Sequence, residues 1–294
     1  MNTHIHETTT SFADNDTEDV EIDFTSFSYA TNSDPFLKRF IIRSIEKSTG
    51  QLKIWKLYKK YKEEERDPEE SFWEAALRKL EISLDFNESK LQEIPKSGPL
   101  VIVANHPFGV LDGLILCYIL HRVRPDFKVL TNSVLTRSPE VEKHLLPVDF
   151  SPTKQAREQN LATRQAARET LERGGCLGVF PAGGVATIPN LGANKAQDLP
   201  WQPFIGQLIR RSEATVVPIS FEGQNSRLFQ IVSRISMTLR LSLFFRELCQ
   251  QIGDRVRFTI GTPVPYQDLQ EFKDPAKLIN HLDEVTHSLP QRAK

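Results

Sequence analysis

The chain is poor in residues that staple, ligate or span. It has three cysteines in 294 residues, Cys117, Cys176 and Cys249. None has paired spacing and the first two lie in apolar surroundings, which excludes a disulfide framework and fits reduced thiols in the cytoplasm. No group of cysteines and histidines has metal-ligand spacing, so no metal is expected. No apolar run is long enough to span a bilayer; the longest, Leu114 to Leu120, suits a core helix. Met1-Asn2-Thr3-His4-Ile5-His6 leads into polar sequence, so no secretory signal is expected. No Gly-x-Ser-x-Gly elbow occurs, which counts against a serine α/β-hydrolase.

Basic residues are missing from the acidic start of the chain. Residues 1–34 hold eight acidic side chains, from Glu7 to Asp34, and no Lys or Arg. With many Thr and Ser and little apolar pattern, they read as a disordered acidic tail. The net charge of −1 therefore hides an asymmetry. In the region 35–79 the balance inverts: Phe36, Leu37, Phe40, Ile41 and Ile45 recur at helical spacing among Lys38, Arg39, Arg43 and Lys47, and Gly50 ends the helix. A second helix sets Ile54, Leu57, Tyr58 and Tyr61 against Lys53, Lys56, Lys59, Lys60 and Lys62. Such basic amphipathic helices suit an anionic membrane surface, or else pack on the core with solvated lysines. Nucleic-acid binding has no recognised module to support it.

Beyond Asp67-Pro68 the spacing predicts a short helix over Ser71 to Lys79 and a half-buried strand over Leu80 to Leu84. Strand candidates follow at 100–104, 127–131, 146–148, 177–180, 215–219 and 255–260, separated largely by helical stretches. The clearest of those helices runs from Lys154 to Arg173 and stops at Gly174-Gly175. This alternation indicates an α/β fold, a sheet covered by helices.

The most informative segment is Asn105-His106-Pro107-Phe108-Gly109-Val110-Leu111-Asp112-Gly113. It follows the buried strand Leu100 to Ala104 and precedes a buried helix beginning near Asp112, so His106 leaves the carboxyl end of a strand, where α/β sheets bind ligands. An imidazole bonded through one nitrogen to a carboxylate has a fixed tautomer and is the better base. The bland alternative makes Asp112 a helix cap. Two later segments have the same strand-to-loop character: Gly178-Val179-Phe180-Pro181-Ala182-Gly183-Gly184-Val185, and Val216-Val217-Pro218-Ile219-Ser220 with its continuation Phe221 to Ser226.

In order and character these blocks resemble the lysophospholipid and glycerophosphate acyltransferase superfamily, whose pattern runs Asn-His-x4-Asp, a basic second block, Phe-Pro-Glu-Gly-Thr and a Val-Pro strand. The first block matches at Asn105, His106 and Asp112, the third at Phe180, Pro181 and Gly183, and the fourth at Val217 and Pro218. The likeness runs from about Leu80 to Val264. It implies a mixed central sheet of glycerolipid acyltransferase type within an acyltransferase domain over 80–294. Three departures stand out. Five residues, not four, separate His106 from Asp112; Ala182 and Gly184 replace Glu and Thr; Phe150 stands at the second-block arginine. The last two count against a glycerophosphate acceptor, and leave Lys154 and Arg157 as substitute anion ligands.

The resemblance implies transfer of a fatty acyl group from acyl carrier protein or coenzyme A to a hydroxyl of a lysolipid acceptor, without a bound cofactor. His106 is expected as general base and Asp112 as its orienting partner. Asn105, Gly109, Phe180, Pro181, Gly183 and Gly184 are expected to line the substrate, with backbone amides around Gly109 or Gly183-Gly184 as candidate oxyanion donors. The expected location is cytoplasmic, peripheral on a membrane. The alternatives are a lipid esterase or thioesterase, in which the same base activates water, and an inactive lipid-binding protein.

Overall fold

The computed structural model describes residues 28, 35–65, 67, 69–132, 139–149 and 153–290. The acidic tail thus lies almost wholly outside the described residues, as does Phe150. Two basic helices come first, α1 (Phe36–Thr49) and α2 (Gln51–Glu63), with the break made by Gly50 at φ 132°. Helix α3 (Phe72–Lys79) is capped by Ser71, whose Oγ accepts from Glu74 N at 3.2 Å while Glu74 returns a bond to Ser71 N.

Strand β1 (Ser83–Asp85) and helix α4 (Lys90–Glu93) lead to β2 (Leu100–Ala104), α5 (Val110–Val123), β3 (Phe127–Asn132) and α6 (Pro139–Glu142). Then come β4 (Leu145–Val148), α7 (Lys154–Glu172), β5 (Cys176–Val179), α8 (Pro203–Ser212) and β6 (Thr215–Phe221). The chain continues through α9 (Arg227–Ile235), α10 (Met237–Ser242), α11 (Phe244–Gln250), β7 (Arg255–Ile260), α12 (Tyr266–Leu269) and α13 (Pro275–Ser288). The strand expected over Leu80 to Leu84 starts later. Leu80 instead closes α3, and Glu81 turns the chain at φ 54°, so pairing begins at Ser83.

The seven strands form one mixed sheet in the order β1-β7-β6-β2-β5-β3-β4. Pairing is parallel except between β6 and β7. Every residue of β2 is buried, as a central parallel strand covered on both faces requires. From β2 the chain crosses by α5 towards β3, whereas from β5 it crosses the other way by α8 to β6. Right-handed crossovers in opposite directions fall on opposite faces. Accordingly α3 and α5 pack with one apolar cluster, and α7, α8 and α13 with the other. A third, smaller cluster joins Ile42 of α1 to Phe229 of α9, to Phe244 of α11 and to Val185. The inner faces of α1 and α2 therefore pack on the protein, while Phe36, Leu37, Phe40 and the lysines of α2 remain exposed.

Cys117 and Cys176 are buried in the core as free thiols, and burial pushes both well above the ordinary thiol range. Such thiols are inert at neutral pH.

Candidate active site

The adjacent carboxyl ends of β2 and β5, whose connections leave in opposite directions, make the crevice that α/β sheets use for chemistry. His106 stands there. Gly109, at φ 91°, turns the chain into α5, and its bare Cα lets the ring of Phe244 and a methyl of Val185 approach. Because the helix begins at Val110, Asp112 occupies the third position of its first turn. The extra residue between His106 and Asp112 is absorbed by this turn.

Asp112 is fully buried and its Oδ2 is the hub of the loop. It accepts from Phe108 N at 2.8 Å and from Gly109 N at 2.9 Å, and it meets His106 Nδ1 at 2.9 Å. The helix-cap role and the histidine-orienting role thus belong to one oxygen. Since an ionised carboxylate only accepts, this contact selects the tautomer with the proton on Nδ1, and in the neutral ring that tautomer leaves the lone pair on Nε2. Among the described residues nothing hydrogen-bonds to Nε2. The imidazole face is covered by Phe180, ring centroids 3.9 Å apart and planes 19° from parallel.

The backbone of His106 is held from two more sides. Its N–H donates to Asp198 Oδ1 at 3.2 Å and its carbonyl accepts from Ala186 N at 2.8 Å. Asp198 also accepts from Trp201 Nε1 at 3.2 Å. Burial pushes the Asp198 carboxyl above its ordinary value, and the bonds from Trp201 and from His106 pull it back. Asn105 works as a brace: its side chain bonds both backbone groups of Phe221, at 2.9 and 2.6 Å, tying the end of β2 to the end of β6. After β6, Gly223 at φ 120° seats the Phe108 ring, and Asn225 donates to Phe108 O at 3.2 Å.

A base with an open Nε2, oriented by a buried carboxylate at the end of a central strand, is equipped to take a proton from a hydroxyl. A family model for acyltransferases matches residues 28–288. The chain belongs to the acyltransferase family. This acyltransferase is 24% identical over 222 residues to the lyso-glycine lipid O-acyltransferase of Phocaeicola vulgatus, covering 71% of this chain and 77% of that protein. It is 25% identical over 223 residues to the enzyme of the same name from Bacteroides thetaiotaomicron, covering 71% and 79%. A solved structure, the 1-acyl-sn-glycerophosphate acyltransferase of Thermotoga maritima, aligns over 92% of this chain and 88% of its own at 16% identity and a TM-score of 0.48.

The loop after β5 meets His106 of the acyltransferase through the Phe180 stack and the Ala186 bond, and Pro181, Gly183 and Gly184 lie in sequence between those two contacts. Two expected amide donors already have acceptors: Gly109 N–H is bonded to Asp112 Oδ2, and Gly183 N–H to Phe180 O at 3.0 Å. Gly184 N–H has none among the described residues. Lys154 and Arg157 begin α7 on its solvent side. Lys154, with its side chain 91% exposed, lies 3.7 Å from Glu158, and no described contact joins either residue to the His106 loop. Asp198, Asn225 and Gly223 escaped the sequence reading, because the residues of the His106 loop that they meet are remote in the chain and no spacing marks them.

Proposed function

We propose that this acyltransferase O-acylates a lysolipid, moving a fatty acyl group from a thioester donor, acyl carrier protein or coenzyme A, onto the acceptor's free hydroxyl. The carrying observation is His106 with Nδ1 engaged by Asp112 and Nε2 open. The acceptor hydroxyl gives its proton to Nε2 as its oxygen attacks the thioester carbonyl. Gly184 N–H, still without an acceptor, is assigned to the resulting oxyanion. When the C–S bond breaks, the leaving thiolate takes the proton back from the imidazolium, so ester and thiol leave and the site is reset. The thioester supplies the activation, and neither a covalent enzyme intermediate nor a bound cofactor is needed.

The names of the two curated relatives make a lyso-glycine lipid the first acceptor to try. Acyl-CoA and acyl carrier protein thioesters should be incubated with this lipid, with lysophosphatidic acid and with other lysolipids, and the products identified by mass spectrometry. An acceptor-dependent ester is the expected result. Free fatty acid released at the same rate with or without acceptor would make the enzyme a hydrolase, and absence of all turnover would leave the lipid-binding reading.

Such substrates reside in membranes, and no helix among the described residues is long and apolar enough to cross one. We place the enzyme peripherally on the cytoplasmic side, with the exposed Phe36, Leu37 and Phe40 of α1 and the lysines of α2 as the contact. Replacing Lys53, Lys56, Lys59 and Lys60 together by Gln should weaken sedimentation with anionic vesicles, most at low salt where screening is least. Equal binding of parent and variant would reduce these lysines to a solvated face.

A further inference from the structure

Arg240, on α10, is a buried cation with no carboxylate partner among the described residues. It is 9% exposed, and its one described hydrogen bond runs from Nη2 to Val185 O at 2.7 Å. The guanidinium also lies over the Phe229 ring, 5.9 Å from its centroid. A guanidinium has five N–H donors in a planar fork, and a desolvated charge is costly unless an anion completes it. Burial lowers the pKa of Arg240, and no acidic neighbour offsets that effect. Its Nε and Nη1 are neither bonded nor sealed from solvent, so the open part of the fork faces accessible space.

The position of this fork relates it to the histidine. Over four consecutive residues, Val185 O accepts from Arg240, Ala186 N donates to His106 O, and Ile188 N donates to Gln230 Oε1 at 3.0 Å. The same stretch therefore holds the base and the cation. On its other side a Cβ at Gly184 would lie 3.8 Å from Arg240 Nη2, so the guanidinium borders the loop that carries the unbonded Gly184 amide. A second observation is independent of the charge. Gln230 is fully buried, its orientation is fixed by Ile188, and its Nε2 donor has no partner. Buried polar groups are nearly always bonded. Here two donors beside one loop lack an acceptor.

We infer that Arg240 is the specificity residue that holds a carboxylate headgroup of the acceptor, while the acceptor's hydroxyl meets His106. The inference rests on the acyl-transfer reading of the His106 site. A carboxylate matches the fork with two parallel N–H···O bonds, and its single charge is balanced by one arginine; a phosphate monoester carries up to about two.

The test uses the full-length enzyme and three acceptors of one chain length: an N-(hydroxyacyl)glycine, its methyl ester, and a lysolipid with a phosphate monoester. The free acid should be preferred over the ester through KM. Arg240→Gln should lower kcat/KM for the acid by about 10- to 100-fold, the scale of charge-assisted hydrogen bonds, and bring the acid-to-ester ratio close to one. Arg240→Lys should recover part of the preference. A folded Arg240→Gln protein that keeps the acid-to-ester ratio overturns the inference, as does a preference for phosphate over carboxylate that depends on Arg240. Should the variants fail to fold, thermal melting of the parent with acid or ester decides: stabilisation by the acid alone supports the assignment, and equal effects refute it. Because melting needs no donor, it separates failure of this inference from failure of acyl transfer. Ester formation on acid and ester alike, still dependent on His106, keeps the function and removes Arg240 from it.

Discussion

The two ends of the central strands treat their polar groups in opposite ways. At the amino ends, Arg124 is 2% exposed and fully engaged: Nε and Nη2 meet the two oxygens of Asp126 at 2.8 and 2.7 Å, and further bonds reach Gly98 O at 3.0 Å, Gly174 O at 2.6 Å and Pro95 O at 3.4 Å. One guanidinium thereby joins the segments that enter β2, β3 and β5. At the carboxyl ends, the Oδ1 of Asp112, the Nε2 of Gln230 and most of the Arg240 fork have no partner among the described residues. The amino end is satisfied by the chain alone and serves stability. Of the groups at the carboxyl end, the Arg240 fork and His106 Nε2 are the ones open to a polar reactant, whereas Asp112 Oδ1 and Gln230 Nε2 are sealed in the interior.

This contrast can be broken by mutation. The largest effect is expected at the carboxyl end, where His106→Ala should reduce turnover by about 10²–10⁴-fold, the usual worth of a general base, with the melting temperature little changed. Turnover near the parent's in a folded variant would refute the assignment. Asp112→Asn should be somewhat less severe and should lower turnover and stability together, because the same oxygen orients the imidazole and accepts from Phe108 and Gly109. A loss of stability alone would leave Asp112 as only a cap.

At the amino end the signature should reverse. Arg124→Met strips donors from three carbonyls and should destabilise the fold by about 2–4 kcal/mol, since buried unpaired groups cost roughly 1–3 kcal/mol each and partial hydration relieves some of that. Its kcat at a temperature where it is folded should match the parent's. A Met variant with parental stability in urea and reduced kcat would erase the distinction between the two ends.

The smallest effect belongs to Asp126, which is half exposed. The Arg124 hydrogen bonds hold its carboxyl below the ordinary value, so its contribution is fully present above the unfolded pKa of about 3.9 and is lost as pH falls through the lower folded value. The advantage of the parent over Asp126→Asn in urea midpoint should therefore be constant from neutral pH down to about 5 and shrink below about 4. An advantage that does not change with pH would assign the effect to packing.

The parts legible in the sequence were those written in local spacing. The β2 run, its Gly-rich turn and the helix after it placed His106 and Asp112 at one junction, Gly50 marked the end of α1, and Lys154 marked the start of α7 within a residue or so of its observed span. Pairing order and the antiparallel β7 were not legible, because register depends on contacts between distant segments. Arg240 and Asp198 escaped for the same reason: Val185 lies 55 residues from the first and His106 92 residues from the second. A backbone acceptor leaves no mark on the sequence that codes it. The substitute anion ligands were sought near the second block, at Lys154 and Arg157, because proximity in sequence was the available guide, whereas the buried unpaired cation is supplied by a helix after β6.

The Phe180 stack on His106 has a further consequence. With Nδ1 fixed by Asp112 and one ring face covered, the imidazole offers its lone pair along a single line. A secondary alcohol reaching that line must point its hydrogen, its chain and its headgroup in three set directions relative to walls made of L-residues. Mirror-image alcohols then meet different walls, so the enzyme should acylate one enantiomer of a racemic hydroxy lipid and leave the other behind.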